Sequence, residues 1–232
     1  MAKYTSGPTV AAVSGSVGGT TYSRNRYGQY MRQRSIPTVS TTTYALAAKA
    51  RLEAVSMAWQ ALDTAQKIAW RMYAEQNPVQ DSLGVTQILT AHTTYVSLNT
   101  RMHLLGNALI ADPPITPTPN PLTALSLSAD IGVGDFDLVF APTPTGAAEM
   151  LYIRGCVIDS PGVAYVQNYL RYLGVSTVAQ ATPFDPQSII EARFGTLVVD
   201  QTVHLEVSII DNLSGQVSRP LKCSDLVEET VI

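Results

Sequence analysis

The stretch "DPPITPTPNP" at residues 112–121 constrains the fold of this chain more than any other segment. Five prolines in ten residues remove backbone donors and hold φ at about −65°, so no helix crosses it and a stiff, extended spacer is expected. The apolar periodicity changes there. Upstream, apolar residues recur every three to four positions, which predicts helices; downstream they alternate, which predicts strands. The expectation is an α+β multi-domain chain divided at this spacer.

Three helices are predicted before it. Residues 40–62 open with Ser/Thr caps and carry Leu52, Val55, Trp59 and Leu62 on one stripe. Residues 62–78 restart the helix at Asp63, where Gln66 completes a capping box and Pro78 closes the segment; Ala69, Trp70 and Tyr73, with Met72, form its buried face. Residues 85–107 place Ile88, Leu89, Tyr95, Leu98, Met102 and Leu105 on a third stripe that Gly106-Asn107 terminates. Short connections make a small three-helix bundle over residues 40–111 the expected arrangement. After the spacer, strands are expected near 123–130, 135–142, 149–158, 163–172, 189–199, 202–211 and 216–223, with Val203, Leu205, Val207 and Ile209 pointing one way. Seven short strands predict an Ig-like or fibronectin III-like β-sandwich over residues 122–232.

Residues 1–39 differ from both parts. Residues 1–19 are small and polar, too light for a core, and are expected to form a flexible, extended arm. The stretch "GGTTYSRNRYGQYMRQRSIP" (18–37) then predicts a β-hairpin. Thr20–Arg24 and Gln29–Arg34 are its arms, and Asn25–Gly28 is the turn, because Asn and Gly tolerate positive φ. Alternation puts Tyr22 and Arg24 on one face of the first arm, and Tyr30, Arg32 and Arg34 on one face of the second. Such a hairpin is not stable alone in water and must lie against something.

Charge is polarised along the chain. Residues 1–52 hold seven Lys or Arg and no carboxylate, residues 53–112 hold three basic and five acidic side chains, and residues 113–232 hold five and thirteen, for a net charge of −3. The basic end therefore suits an acidic partner. Three uses of the hairpin follow from its residues: packing back on its own helices, insertion into a neighbouring protein, or contact with nucleic acid. Insertion is preferred, because the arm brings no core of its own and the basic footprint is weak for nucleic acid. Tyr22, Tyr27 and Tyr30 would be its buried anchors, and Arg24, Arg26, Arg32 and Arg34 would pair with carboxylates of the neighbour.

Chemistry-bearing residues form no catalytic pattern. His92 and His103 lie about 16 Å apart along one predicted helix, too far for one metal, and His204 is remote. Gly18-Gly19 lacks the strand-to-helix setting of a dinucleotide fingerprint, and Asp130, Asp135 and Asp137 lack the ligand ladder of a calcium loop. Cys156 and Cys223 match no metal or redox spacing and are expected as reduced, buried hydrophobes. The Trp59/Trp70/Tyr73 set is expected to pack in a core. No membrane span and no secretory leader is read. A non-enzyme with no cofactor, no metal and no small-molecule substrate is expected.

The segment "SGSVGGTTYSRNRYGQYMRQRSIP", followed by a helix and by "LDTAQKIAWRMYA", resembles a group of structural proteins encoded by tailed bacteriophages and prophages. Thr64 to Trp70 is close to that group's Thr-x-x-Gln-x-x-Ala-Trp motif, with Gln66 displaced by one place. The resemblance covers residues 14–110, and the sandwich only in general pattern. It implies a virion component, assembled in the host cytoplasm and associated with the head as a capsid decoration or cement protein. The alternatives are a neck or tail protein, or an arm that binds nucleic acid. The implied partners are capsid or connector subunits and copies of the chain itself, with no membrane.

Overall fold

A computed structural model describes residues 2–3, 7, 13–25, 28–35, 41–80, 85–132, 135–159, 163 and 165–229. The chain is mixed α+β, with four helices and several antiparallel sheets among these residues. It divides into two compact units, residues 1–47 and 48–232. The expected division at 112–121 separates segments that here lie together in the second unit. No helix among the described residues is long and apolar enough to cross a membrane.

In the first unit, strands β1 (Ala2–Lys3), β2 (Gly15–Val17), β3 (Thr20–Asn25) and β4 (Gly28–Gln33) form one sheet in the order β1-β4-β3-β2. The hairpin forms where its arms were expected, but the segment before it is not merely a flexible arm. Gly15–Val17 pairs with β3 across the Gly18-Gly19 turn, and Ala2–Lys3 pairs with β4. The physical reason is Gly18, at φ +57, which supplies the positive φ of a tight hairpin turn without a steric cost.

The second unit begins within helix α1 (Thr43–Ala61), which is followed by α2 (Thr64–Gln76) and α3 (Ala91–Leu104). Asp63 accepts from the Gln66 backbone N–H at 2.7 Å while the Gln66 side chain accepts from the Asp63 N–H, so the capping box forms as its spacing requires. Helix α3 starts later than the stripe from Ile88 suggested. Thr90 caps it, and Val79–Gln80 (β5) pairs with Thr86–Gln87 (β6) in a small ladder before it, leaving Ile88 exposed. Val55, Trp70, Tyr95 and Leu98 share one core across all three helices. Trp70 Nε1 donates to the Ala111 carbonyl at 2.7 Å, and Asn99, fully buried, ties Ile110 back to α3 through 2.7 and 3.2 Å bonds. The aromatic set is thus core packing, with Trp70 and Tyr95 edge to face at 5.3 Å.

Beyond the prolines, β7 (Ala124–Asp130) and β8 (Asp135–Ala141) form a two-stranded sheet. Strands β9 (Glu149–Ile158), β10 (Arg171–Val175), β11 (Thr202–Asp211) and β12 (Leu221–Leu226) form a second sheet in the order β10-β9-β11-β12. One core joins the two sheets: Phe136, Leu138 and Phe140 meet Leu151, Ile153, Val203, Leu205, Val207 and Ile209. Two of the expected strands are corrected. Residues 163 and 165–170 are not a strand, and 189–199 is replaced by helix α4 (Gln187–Phe194). Asp185 accepts from the Gln187 N–H at 2.8 Å and Gly195 ends the helix at φ +93, start and stop signals that alternation obscured. The last strand begins at Leu221 rather than 216, since Pro220 has no N–H to give a ladder.

Candidate interaction surface

The strand register decides what the Tyr/Arg hairpin presents. Tyr22 lies opposite Met31 and Arg24 opposite Gln29, whereas Ser23 faces Tyr30 and Thr21 faces Arg32. Directly paired residues share a face, so Tyr22, Arg24 and Met31 occupy one side, and Tyr30 and Arg32 the other. The two sets of candidate residues are therefore not brought together; the sheet offers a Tyr and an Arg to each side. Arg34, beyond the last pair, continues the Tyr30/Arg32 alternation and donates its backbone N–H to Gly19 O at 2.8 Å. Arg26 and Tyr27 lie outside the described residues.

By register the Tyr30/Arg32 face also carries Lys3, Ser16, Thr21 and Ser23. Ser16 and Thr21 share a 2.8 Å hydroxyl bond on it. On the other face Val17 is 72% exposed. Tyr22, Tyr30 and Met31 are half-buried, Arg24, Arg32 and Arg34 are exposed, and none of residues 7, 13–24, 28–35 and 41–47 is buried. Arg24, Arg32 and Arg34 make no salt bridge among the described residues. Sequence reasoning missed β2 and the place of Met31. The Gly-Gly pair between Val17 and Thr20 was the signal for β2.

The second unit has polar groups of its own, several of them already engaged. A row crosses the outer face of the four-stranded sheet by register: Tyr172, Arg154, Glu206 and Lys222. Glu206 is buried, with Arg154 at 2.7 Å and Lys222 at 3.7 Å, and Lys222 also donates to Gln167 at 2.7 Å. Burial lowers the pKa of His204, which shares that face. His204, Glu206, Lys222 and Tyr165 border an open concavity of about 310 Å³. His92 packs edge-on against Trp59 at 5.5 Å, and among the described residues no group of three or more His, Cys, Asp or Glu could hold a metal ion. Cys156 lies opposite His204, and Cys223 opposite Leu205, so they project to opposite faces of the sheet. Burial, with Asp225 beside it, pushes the Cys223 thiol up to about 12.

The turn after β11 joins this sheet to the helices. Gln216 donates to the Tyr73 hydroxyl at 2.7 Å, Arg101 donates to the Gly215 carbonyl at 3.2 Å, and Asn107 donates to the Asn212 carbonyl at 2.7 Å. Burial pushes the Arg101 guanidinium below its ordinary value, opposed by the phenols of Tyr152 and Tyr73. Ser214, Gln216 and Ser218 are buried there, and each is hydrogen-bonded. These contacts tie the turn after β11 to α2 and to the end of α3. Comparison of the sequence with protein-family models and with curated proteins returns no match.

Proposed function

We propose that the chain is a non-enzymatic structural protein of a bacteriophage virion, a head-associated decoration or cement protein. Its N-terminal sheet is the element that binds neighbouring subunits. The observation that carries this reading is that none of residues 7, 13–24, 28–35 and 41–47 is buried, although the segment holds a four-stranded sheet with Tyr22, Tyr30 and Met31 on it. A sheet normally needs an apolar face packed on something, and fixing each residue costs about 1–2 kcal/mol of backbone entropy. A neighbouring subunit supplies that packing, and repetition of the contact over a particle strengthens it through avidity. The resemblance of residues 14–110 to tailed-phage proteins points the same way. We read residues 122–232 as an Ig-like sandwich, supported by two antiparallel sheets that close on one core.

Incorporation into particles tests the reading. Tyr22→Ala with Tyr30→Ala should reduce the copies recovered in purified particles at least about tenfold, because interface energy concentrates in aromatic anchors. Unchanged incorporation of a folded double variant would refute the role given to the sheet.

A further inference from the structure

The N-terminal sheet is basic, and one end of the second unit is acidic. Arg32 and Arg34 stand exposed beside Tyr30 on one side of the N-terminal sheet, without a salt bridge among the described residues. The second unit has an acidic end, assembled by topology from segments far apart in sequence. There β7 ends at Asp130, β9 runs out into Asp159, Asp200 precedes β11, and Glu228 follows β12. Backbone bonds tie these together: Ile131 N to Glu228 O at 3.0 Å and Asp200 N to Val227 O at 3.0 Å, while Gln201 Nε2 donates to Asp159 at 2.8 Å. Asp159, Asp200, Glu228 and Glu229 are all exposed. No Lys or Arg occurs in 124–153, 194–218 or 223–232. Val198, 58% exposed, and the half-exposed Phe194 and Val199 stand beside these carboxylates. The helices join the unit at the other end of the sheet, through the turn after β11, and so leave this end uncovered by them.

We propose that the basic sheet of one copy docks on the acidic end of a second copy, with Arg32 and Arg34 meeting Asp200 and Glu228 and Tyr30 seated against Val198. This rests on the assembly reading above and names one partner for it. Charge complementarity selects the second copy as occupant: the sheet's segment has no carboxylate to repel the acidic end, and the acidic end has almost no cation to repel the sheet. The contact is head-to-tail, because different surfaces meet. A pair joined by one such contact keeps one free sheet and one free acidic end, through which further copies add into rings or chains.

The test uses the full chain, with light scattering after size exclusion and no other virion protein present. Wild type should form concentration-dependent oligomers at about 0.01 M salt and dissociate near about 1 M, as the screening length falls from about 30 Å to about 3 Å. Arg32→Glu with Arg34→Glu should be monomeric at low salt, as should Asp200→Lys with Glu228→Lys. Mixed in equal amounts, the two variants should associate again, because each now supplies the charge the other needs. Circular dichroism matching wild type confirms that each variant is folded. A wild type that stays monomeric at low salt and high concentration overturns the proposal. So does a charge-reversed variant that still associates alone, or a folded mixture that does not recover. Particle incorporation is measured separately: a monomeric wild type that still enters particles would refute the self-contact and leave the virion role intact.

Discussion

Replacing Gly215 by alanine probes the joint between α3 and the turn after β11. Gly215 has φ +70, and a Cβ built there would lie 2.7 Å from the Leu98 carbonyl oxygen and 3.1 Å from Met102 Cγ. Met102 can shift; the Leu98 oxygen belongs to a helix backbone and cannot. A left-handed backbone costs an L-residue about 1–2 kcal/mol, and overpacking adds about 1–3 kcal/mol, so the loss should be about 2–5 kcal/mol. Gly106 is the internal control. It stands just past the end of α3 at φ +78, with nothing within 4 Å of a built Cβ, so Gly106→Ala carries the backbone term alone, about 1–2 kcal/mol. The assay is urea unfolding of the full chain, followed by fluorescence of Trp59 and Trp70, which report on α1 and α2. With unchanged m-values, Gly215→Ala should lower stability by about 1–3 kcal/mol more than Gly106→Ala. Equal losses would refute the close approach of this turn to α3.

Two further outcomes follow from the second unit. Arg154→Met leaves the buried Glu206 carboxylate with only the more distant Lys222, and should cost about 2–3 kcal/mol in the same assay; a loss below about 0.5 kcal/mol would mean that water already solvates that carboxylate. Burial holds the His204 pKa below its ordinary 6.5, so between the two values the unfolded chain binds a proton that the folded chain resists. Its contribution is therefore full above the unfolded value and declines as pH falls below about 6.5, and His204→Gln should flatten the stability profile between about pH 7.5 and pH 5. An unchanged slope in that variant would assign the acid sensitivity to another group.

Much of this protein was legible in one dimension, because the signals concerned are local. Asp63 and Gln66 form the capping box that their three-residue spacing requires, Gly106-Asn107 ends α3, and β9 and β11 fall on 149–158 and 202–211 where alternation placed them. Caps, turns and periods are decided by residues within a turn or two of each other, so sequence suffices. The same local signals were present but outcompeted at Asp185–Gly195, where apolar alternation hid a helix. Tertiary structure alone decided the rest. Whether Tyr22 and Tyr30 share a face depends on register, since the side chain direction reverses with each residue, and the observed register sets them on opposite sides. The meeting of Gly215 with Leu98, and the gathering of Asp159, Asp200 and Glu228 at one end, depend on strand order. Strand order follows from burying one common core, a global condition that no short window of sequence contains.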